Sequence, residues 1–257
     1  MKYSILYTFF RFLDVVFFKK RLPGIPVLLY HALGSEHSRL FIPPLEFERQ
    51  IRFLSENGFR SILPDELPVR RGDEKVCLIT FDDGFVSVYD TALPILRKYG
   101  FVATLFVATG YIGKHSGYAR GTGDEAHRLL GAAELQDLAL AGWRIANHLH
   151  SHRDLRALSP QEIALEYRTS YEELSRLGFA SGARFVAYPY NCFTQEAMDI
   201  LAREGVRLAF IGENRLYAVS GSSFAIPRMD VTKSFARFKL FLSPSFHLVR
   251  NFFHEHV

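Results

Sequence analysis

Short apolar runs alternate along this chain with longer stretches in which apolar residues return every three or four positions. Val27-Leu-Leu-Tyr30 is an apolar run bounded by prolines and Gly34, the pattern of a buried strand. After it, Pro44 opens a stretch in which Phe47, Ile51 and Leu54 recur at helical spacing before Gly58, so a helix is predicted there. The alternation continues with a strand at Val76 to Phe81, a helix from about Ser87 to Tyr99 and a β-branched strand at Val102 to Val107. A helix near Ala133 to Ala141 then leads into a strand at Arg144 to Asn147. A long helix from Pro160 to Leu177, a strand at Phe185 to Tyr188, a helix near Gln195 to Glu204 and a strand at Leu208 to Ile211 complete the series. Alternating strands and helices predict an α/β fold with a parallel sheet.

The polar residues decide between an open sheet and a barrel. Tyr30-His31, Asp82-Asp83, His148 with His152, and Tyr188-Pro189-Tyr190 each follow a predicted strand. In a β/α barrel the active site is assembled at the carboxyl ends of the strands, so their placement favours a barrel. A GxGxxG loop after the first strand is absent, which weakens a nucleotide-binding reading. With 257 residues, 48% of them hydrophobic, the chain can bury one core of this size.

Charge and cysteine content narrow the partners. The net charge is +4 with the basic residues dispersed, so nucleic acid is not expected, whereas an anionic membrane surface or glycan fits. Cys77 and Cys192 stand far apart without a CxxC spacing, which suggests reduced thiols. The first residues, Tyr3 to Phe18, are very apolar but carry Arg11 and Asp14 and end at Lys19-Lys20-Arg21. That is short of the ~20 apolar residues of a membrane span, so residues 1–22 are read as an amphipathic helix that either touches a membrane interface or packs on the barrel. Residues 233–257, with Phe235, Phe238, Phe241, Phe246, Leu248, Phe252 and Phe253 among Arg237, Lys239 and Arg250, read as a similar aromatic and basic helical segment. The barrel is assigned to residues 23–232.

Two clusters carry chemistry. Thr80-Phe-Asp-Asp-Gly84 places adjacent carboxylates after an apolar strand, with a glycine free to make a tight turn. Adjacent side chains diverge, so one carboxylate can hold a cation while the other handles a proton; an N-cap pair is the alternative. His148-Leu-His-Ser-His152 spaces two imidazoles four positions apart, which can bring two ring nitrogens onto one ion at ~2.0–2.1 Å. His150 is read as an inert loop histidine and Trp143 as a core residue.

On Thr80-Phe-Asp-Asp-Gly84, Asn147-His-Leu-His-Ser-His-Arg-Asp-Leu155 and Ala187-Tyr-Pro-Tyr190, the chain resembles the polysaccharide deacetylases, also called NodB-homology or carbohydrate esterase family 4 proteins. The likeness spans about residues 25 to 232. It implies a distorted (β/α) barrel of about seven parallel strands, a divalent ion on Asp83, His148 and His152, and Asp82 as general base. Pro26-Val-Leu-Leu-Tyr-His31 resembles the circularly permuted, exopolysaccharide-deacetylase-like branch in which the acid histidine lies near the amino terminus, making His31 the general acid. The backbone N–H of Tyr190 would then face the oxyanion. Two imidazoles and a carboxylate suit zinc first, with cobalt, nickel or iron as alternatives.

The chain departs from the family pattern at three positions. Leu149 replaces a Ser or Thr that shapes the loop, Ala187 replaces an arginine that orients the base, and Asn191 replaces a glycine. Arg228, in Ile226-Pro-Arg-Met-Asp230, is expected to reach Asp82 in place of the missing arginine, and Asp230 to hold His31. Residues Gly110 to Gly131, with Tyr111, Lys114, His115, Tyr118 and Arg120, are expected to border the substrate groove.

The reading that follows is a metal-dependent N-deacetylase acting on an N-acetylhexosamine in a cell-surface polysaccharide, a lipopolysaccharide or a lipid-linked glycan precursor. O-deacetylation, or a weakened glycan-binding accessory protein on the same barrel, is the alternative. The expected location is cytoplasmic, at the inner face of the bacterial membrane, with the cell-envelope side as the other choice.

Overall fold

Seven parallel strands close on one another in the computed structural model of this chain. It describes residues 2–16, 22–34, 38, 40–69, 75–119, 126–218, 221–231, 233–247 and 249. Strands β1 (Val27–Tyr30), β2 (Val76–Phe81), β3 (Thr104–Val107), β4 (Arg144–Asn147), β5 (Phe185–Ala187), β6 (Leu208–Gly212) and β7 (Ile226–Asp230) follow in order around the wall. Closure falls on β1, which pairs with β7 through Leu28 opposite Met229 and with β2 through Leu29 opposite Thr80. The short strand Arg60–Ser61 adds to the beginning of β2. The barrel implied by the sequence is therefore formed.

Side chains of successive strand residues point to opposite faces, and the burial follows that rule. Val76 and Leu78 on β2 join Phe106, Ala146, Phe185, Ala187, Leu208, Phe210 and Ile226 in one buried cluster, the interior of the barrel. Cys77, Ile79, Phe81, Leu105, Ile145 and Met229, in alternation with them, belong to a second cluster shared with the helices. The same alternation carries Thr80 and Asp82 up from Val76 and Leu78, and Arg228 up from Ile226. All three are buried polar residues, so the interior changes from hydrocarbon to charge towards the carboxyl ends.

Helices α1 (Lys2–Val16), α2 (Pro44–Glu56), α3 (Leu93–Lys98), α4 (Ala132–Leu140), α5 (Pro160–Arg176), α6 (Gln195–Arg203) and α7 (Phe235–Phe241) flank the strands. A capping box of Ser159 and Glu162 starts α5, satisfying amide groups that the first turn leaves without partners. The helix predicted from Ser87 is not uniform. Pro94 has no N–H for the helical ladder, and the turn before it widens, with the Leu93 N–H donating to Val88 O. The strand predicted from Val102 begins two residues later, because the Val102 N–H is taken by Ser61 Oγ at 2.8 Å. Strand β7 is absent from the sequence prediction, since its five residues include Pro227, Arg228 and Asp230. Trp143 is buried and stacks on Phe81 with ring centres 5.7 Å apart, as a core residue does.

The terminal segments meet each other. Asp14 of α1 is buried and accepts hydrogen bonds from Ser243 Oγ and the Ser245 N–H, each at 2.8 Å. Phe10 meets Phe246 edge-on at 5.4 Å. Lys19, Lys20, Arg21, Arg120, Leu248, Arg250, Phe252 and Phe253 lie outside the described residues. Among the described residues, no helix is long and apolar enough to cross a membrane.

Gly182 offers a test of the packing between β4 and the turn before β5. A Cβ there would stand 1.9 Å from Ile145 O and 2.9 Å from Arg144 Cδ, and backbone cannot give way as a flexible side chain can. Gly182→Ala is expected to lower unfolding free energy by more than about 2 kcal/mol in urea titration. Leu140→Ala, at a position 86% exposed, is expected to stay within about 0.5 kcal/mol.

Candidate metal centre and active site

The end of β2 sends two neighbouring carboxylates in different directions. Asp82, just past the strand, still bonds to β1, its N–H donating to Tyr30 O at 3.0 Å. Asp83 has φ 72° and Gly84 φ 86°, so the chain turns through the left-handed region that non-glycine residues seldom occupy. A Cβ on Gly84 would also come within 3.2 Å of Val107 Cγ1. Asp82 consequently faces Arg228 while Asp83 faces the histidines, and neither caps the helical turn that begins at Val88.

The histidine loop is anchored from below and from the side. Asn147 Oδ1 accepts the Leu149 N–H at 2.7 Å and the Ser170 hydroxyl at 2.8 Å, and its Nδ2 donates to Ala183 O at 3.2 Å. Glu166 on α5 accepts from the His150 and Ser151 N–H groups at 3.1 and 2.8 Å and from the Ser151 hydroxyl. Leu149, with φ 63°, buries its side chain against Leu155, Ile163, Tyr167 and Val186. The bond lost by having leucine at this position is thus made good by Asn147 and Glu166, and the loop keeps its shape. His150 turns aside, its Nδ1 3.0 Å from Thr109 Oγ1.

Three ligand atoms converge at the mouth. His148 Nδ1 lies 2.8 Å from the Ala187 carbonyl, which can only accept, so Nδ1 carries the proton and Nε2 presents a lone pair. Burial pushes the His148 imidazole down to about 4, so it is neutral at pH 7, the form that ligates. His148 Nε2 and His152 Nε2 are 3.2 Å apart, and Asp83 Oδ1 lies 3.2 Å from the second and 3.8 Å from the first. Two ligands of one tetrahedral ion at ~2.0–2.1 Å are roughly 3.3 Å apart, so these separations fit a shared cation. Asp83 Oδ1 is buried with no hydrogen-bond partner among the described residues. Burial opposes its charge, yet the His152 imidazole beside it outweighs that and holds the carboxyl below the usual range. A buried anionic oxygen beside two imidazoles is a donor set that could hold a divalent cation.

Arg228 grips Asp82 with both terminal nitrogens, at 2.6 and 2.8 Å, and its Cζ stands 5.4 Å over the Phe106 ring. Burial would raise the Asp82 pKa, but the Arg228 guanidinium overrides it and keeps the carboxyl ionised. The structure therefore brings Arg228 to Asp82, a contact that alanine at position 187 cannot make. His31 is half-buried after β1, close enough to both carboxylates to favour their ionised forms. The expected bond from Asp230 to His31 is not formed: Asp230 is exposed at the last residue of β7, and its N–H donates to Asn214 Oδ1 at 3.0 Å.

Tyrosines complete the rim. Tyr190 and Asn191 have φ 56° and 57°, and Asn191 closes the turn onto Gly212 with bonds of 2.7 and 3.0 Å, so asparagine serves where glycine was expected. Tyr190 meets the His152 ring edge-on at 4.5 Å. From the loop after β3, Tyr118 stacks on His152 at 4.1 Å, with its buried hydroxyl near Asp83. Burial, helped by Asp83, pushes that phenol up, so it stays a proton donor. The sequence placed Tyr118 only in a groove-bordering loop. Glu166 carried no signal, since one acid on an amphipathic helix is unremarkable by pattern.

Removing one partner of a buried ion pair strands the other charge. Arg228→Ala is expected to cost about 3–5 kcal/mol in urea unfolding at pH 7, and the loss should shrink when Asp82→Asn is added. An additive double variant would contradict the pairing.

Comparisons agree with this geometry. A family model described as polysaccharide deacetylase matches residues 70–209, more than half of the chain. YxkH of Bacillus subtilis, named for the same family, is 28% identical over 213 residues, covering 81% of this chain and 71% of that protein. A poly-beta-1,6-N-acetyl-D-glucosamine N-deacetylase of Staphylococcus aureus is 24% identical over 220 residues, 80% of this chain and 72% of its own. Among solved structures, IcaB from Ammonifex degensii superposes with a TM-score of 0.74 at 24% identity, over 86% of this chain and 97% of that one. The Streptococcus pyogenes deacetylase PplD gives 0.73 at 23% identity, with the same coverage of 86% and 97%. These two likenesses bear on the fold. With the barrel, the paired carboxylates and the family model all in accord, the chain belongs to the polysaccharide deacetylase family.

Proposed function

We propose that this chain is a metal-dependent N-deacetylase acting on an N-acetylhexosamine unit of a cell-surface polysaccharide or lipid-linked glycan precursor. The observation that carries the reading is the division of labour between the two aspartates: Asp82 is ionised and oriented by Arg228, while Asp83 faces the imidazoles of His148 and His152. The name of the Staphylococcus aureus relative supports an N-acetylglucosamine polymer as the substrate class.

An amide is a poor electrophile with a poor leaving group, so hydrolysis needs an activated water, a stabilised oxyanion and a proton for the amine. A divalent ion on Asp83, His148 and His152 would supply Lewis acidity and a more acidic water. Asp82 takes the water proton, its carboxylate held in register by two Arg228 bonds. His31, at the end of the neighbouring strand β1, gives a proton to the departing nitrogen. The Tyr190 backbone N–H, set by the left-handed turn after Pro189, faces the acetyl oxygen. Leu149, Ala187 and Asn191 do not favour a non-catalytic reading, because Asn147 with Glu166, Arg228, and Asn191 itself answer each departure.

The test is acetate release from N-acetylglucosamine oligomers by chelated and zinc-restored protein. Asp82→Asn should lower kcat by about 10²–10⁴ while retaining a bound ion. Undiminished release by that variant would overturn the mechanism, and release from O-acetylated but not N-acetylated oligomers would overturn the substrate class.

A further inference from the structure

Helix α1 has two faces with different surroundings. Phe10 and Asp14, one turn apart, are buried, and the two bonds from Ser243 and Ser245 to the Asp14 carboxylate fix the rotation of the helix about its own axis. A buried carboxylate that lost those donors would be costly, so this orientation is enforced. Lys239 Nζ stands 4.1 Å over the Tyr7 ring on the same side.

The opposite face is apolar and uncovered. Ile5, Phe9, Phe12 and Val16 recur at i, i+4, i+7 and i+11, which places them in one stripe. Ile5 is 64%, Phe9 55% and Phe12 63% exposed, and Val15 beside them is exposed as well. Single exposed apolar residues are ordinary, but a contiguous row on one helix marks an interaction surface.

We propose that this stripe seats α1 in the interface of an anionic lipid bilayer, with the helix axis in the plane of the membrane. Charge selects the occupant. Lys2 and Arg11 are exposed on the helix, and its one acidic residue, Asp14, is turned inward, so the outward surface is apolar and cationic. In the sequence, Lys19, Lys20 and Arg21 follow at once. That combination fits acyl chains beneath anionic headgroups. A second copy of the chain fits worse: an isologous pairing lays the same patch on itself, setting these cations against each other with no exposed acid on the helix to answer them. The fifteen described residues of α1 are fewer than a span of the hydrocarbon core needs, which suits a helix seated in the interface. The inference stands apart from the catalytic reading.

The experiment is sedimentation of the full chain with vesicles of phosphatidylcholine alone or mixed equally with phosphatidylglycerol. The mixed vesicles should carry the protein down, and pure phosphatidylcholine should bind about tenfold less. Phe9→Ser with Phe12→Ser should cut binding to mixed vesicles by about tenfold or more while leaving the melting temperature unchanged, since both side chains are exposed. Equal sedimentation of the double variant overturns the proposal. So does light scattering that finds a dimer which the double variant dissolves.

Discussion

The buried pair of Asp82 and Arg228 is the interaction on which the rest of the mouth depends. It joins β2 to β7 over a separation of 146 residues, on the two strands that flank β1 at the closure of the barrel. A buried ion pair is weak evidence for stability, because desolvation offsets much of the attraction. Its consequence here is electrostatic. Arg228 neutralises Asp82, whereas among the described residues no Lys or Arg pairs with Asp83, which lies against two imidazole nitrogens. A buried carboxylate beside two buried imidazoles could hold a divalent cation, and His148, pushed down to about 4 by burial, does not contest the place with a proton of its own.

The same region concentrates backbone strain. Among the described residues, Asp83, Leu149, His152, Tyr190 and Asn191 are the non-glycine positions with positive φ, and all lie in the turns after β2, β4 and β5. Such conformations cost on the order of 1–3 kcal/mol each and persist only where surroundings over-determine them. Here the surroundings can be named: Asn147 and Glu166 hold the histidine turn, and Asn191 bonds Gly212. Among the described residues, the non-glycine backbone strain is thus confined to the turns at the carboxyl ends of the strands.

That division explains what was legible in the sequence. Strands β1 to β6 were readable because buried parallel strands are short runs of apolar residues, and the cluster that could hold a metal was readable because Asp83, His148 and His152 follow two of them at recognisable spacing. Arg228 could be proposed only from the absence of an arginine at Ala187. Strand β7 was not readable, since Pro227 and Arg228 break the apolar pattern that its neighbours show. Asp230 was misread because its distance from His31 depends on how far β7 runs past the rim, which no periodicity reports. The stacking of Tyr118 on His152 depends on the path of a long loop, and loops leave little trace in hydrophobic pattern.

The account stands or falls on where a divalent ion goes. Anomalous diffraction at the zinc edge, from crystals of zinc-loaded protein, measures that position directly. The account predicts one strong peak bonded at ~2.0–2.2 Å to Asp83, His148 Nε2 and His152 Nε2, with Asp82 still held by Arg228. A peak elsewhere in the barrel mouth, or a zinc-loaded crystal in which Asp82 has left Arg228 to bind the ion, would contradict it.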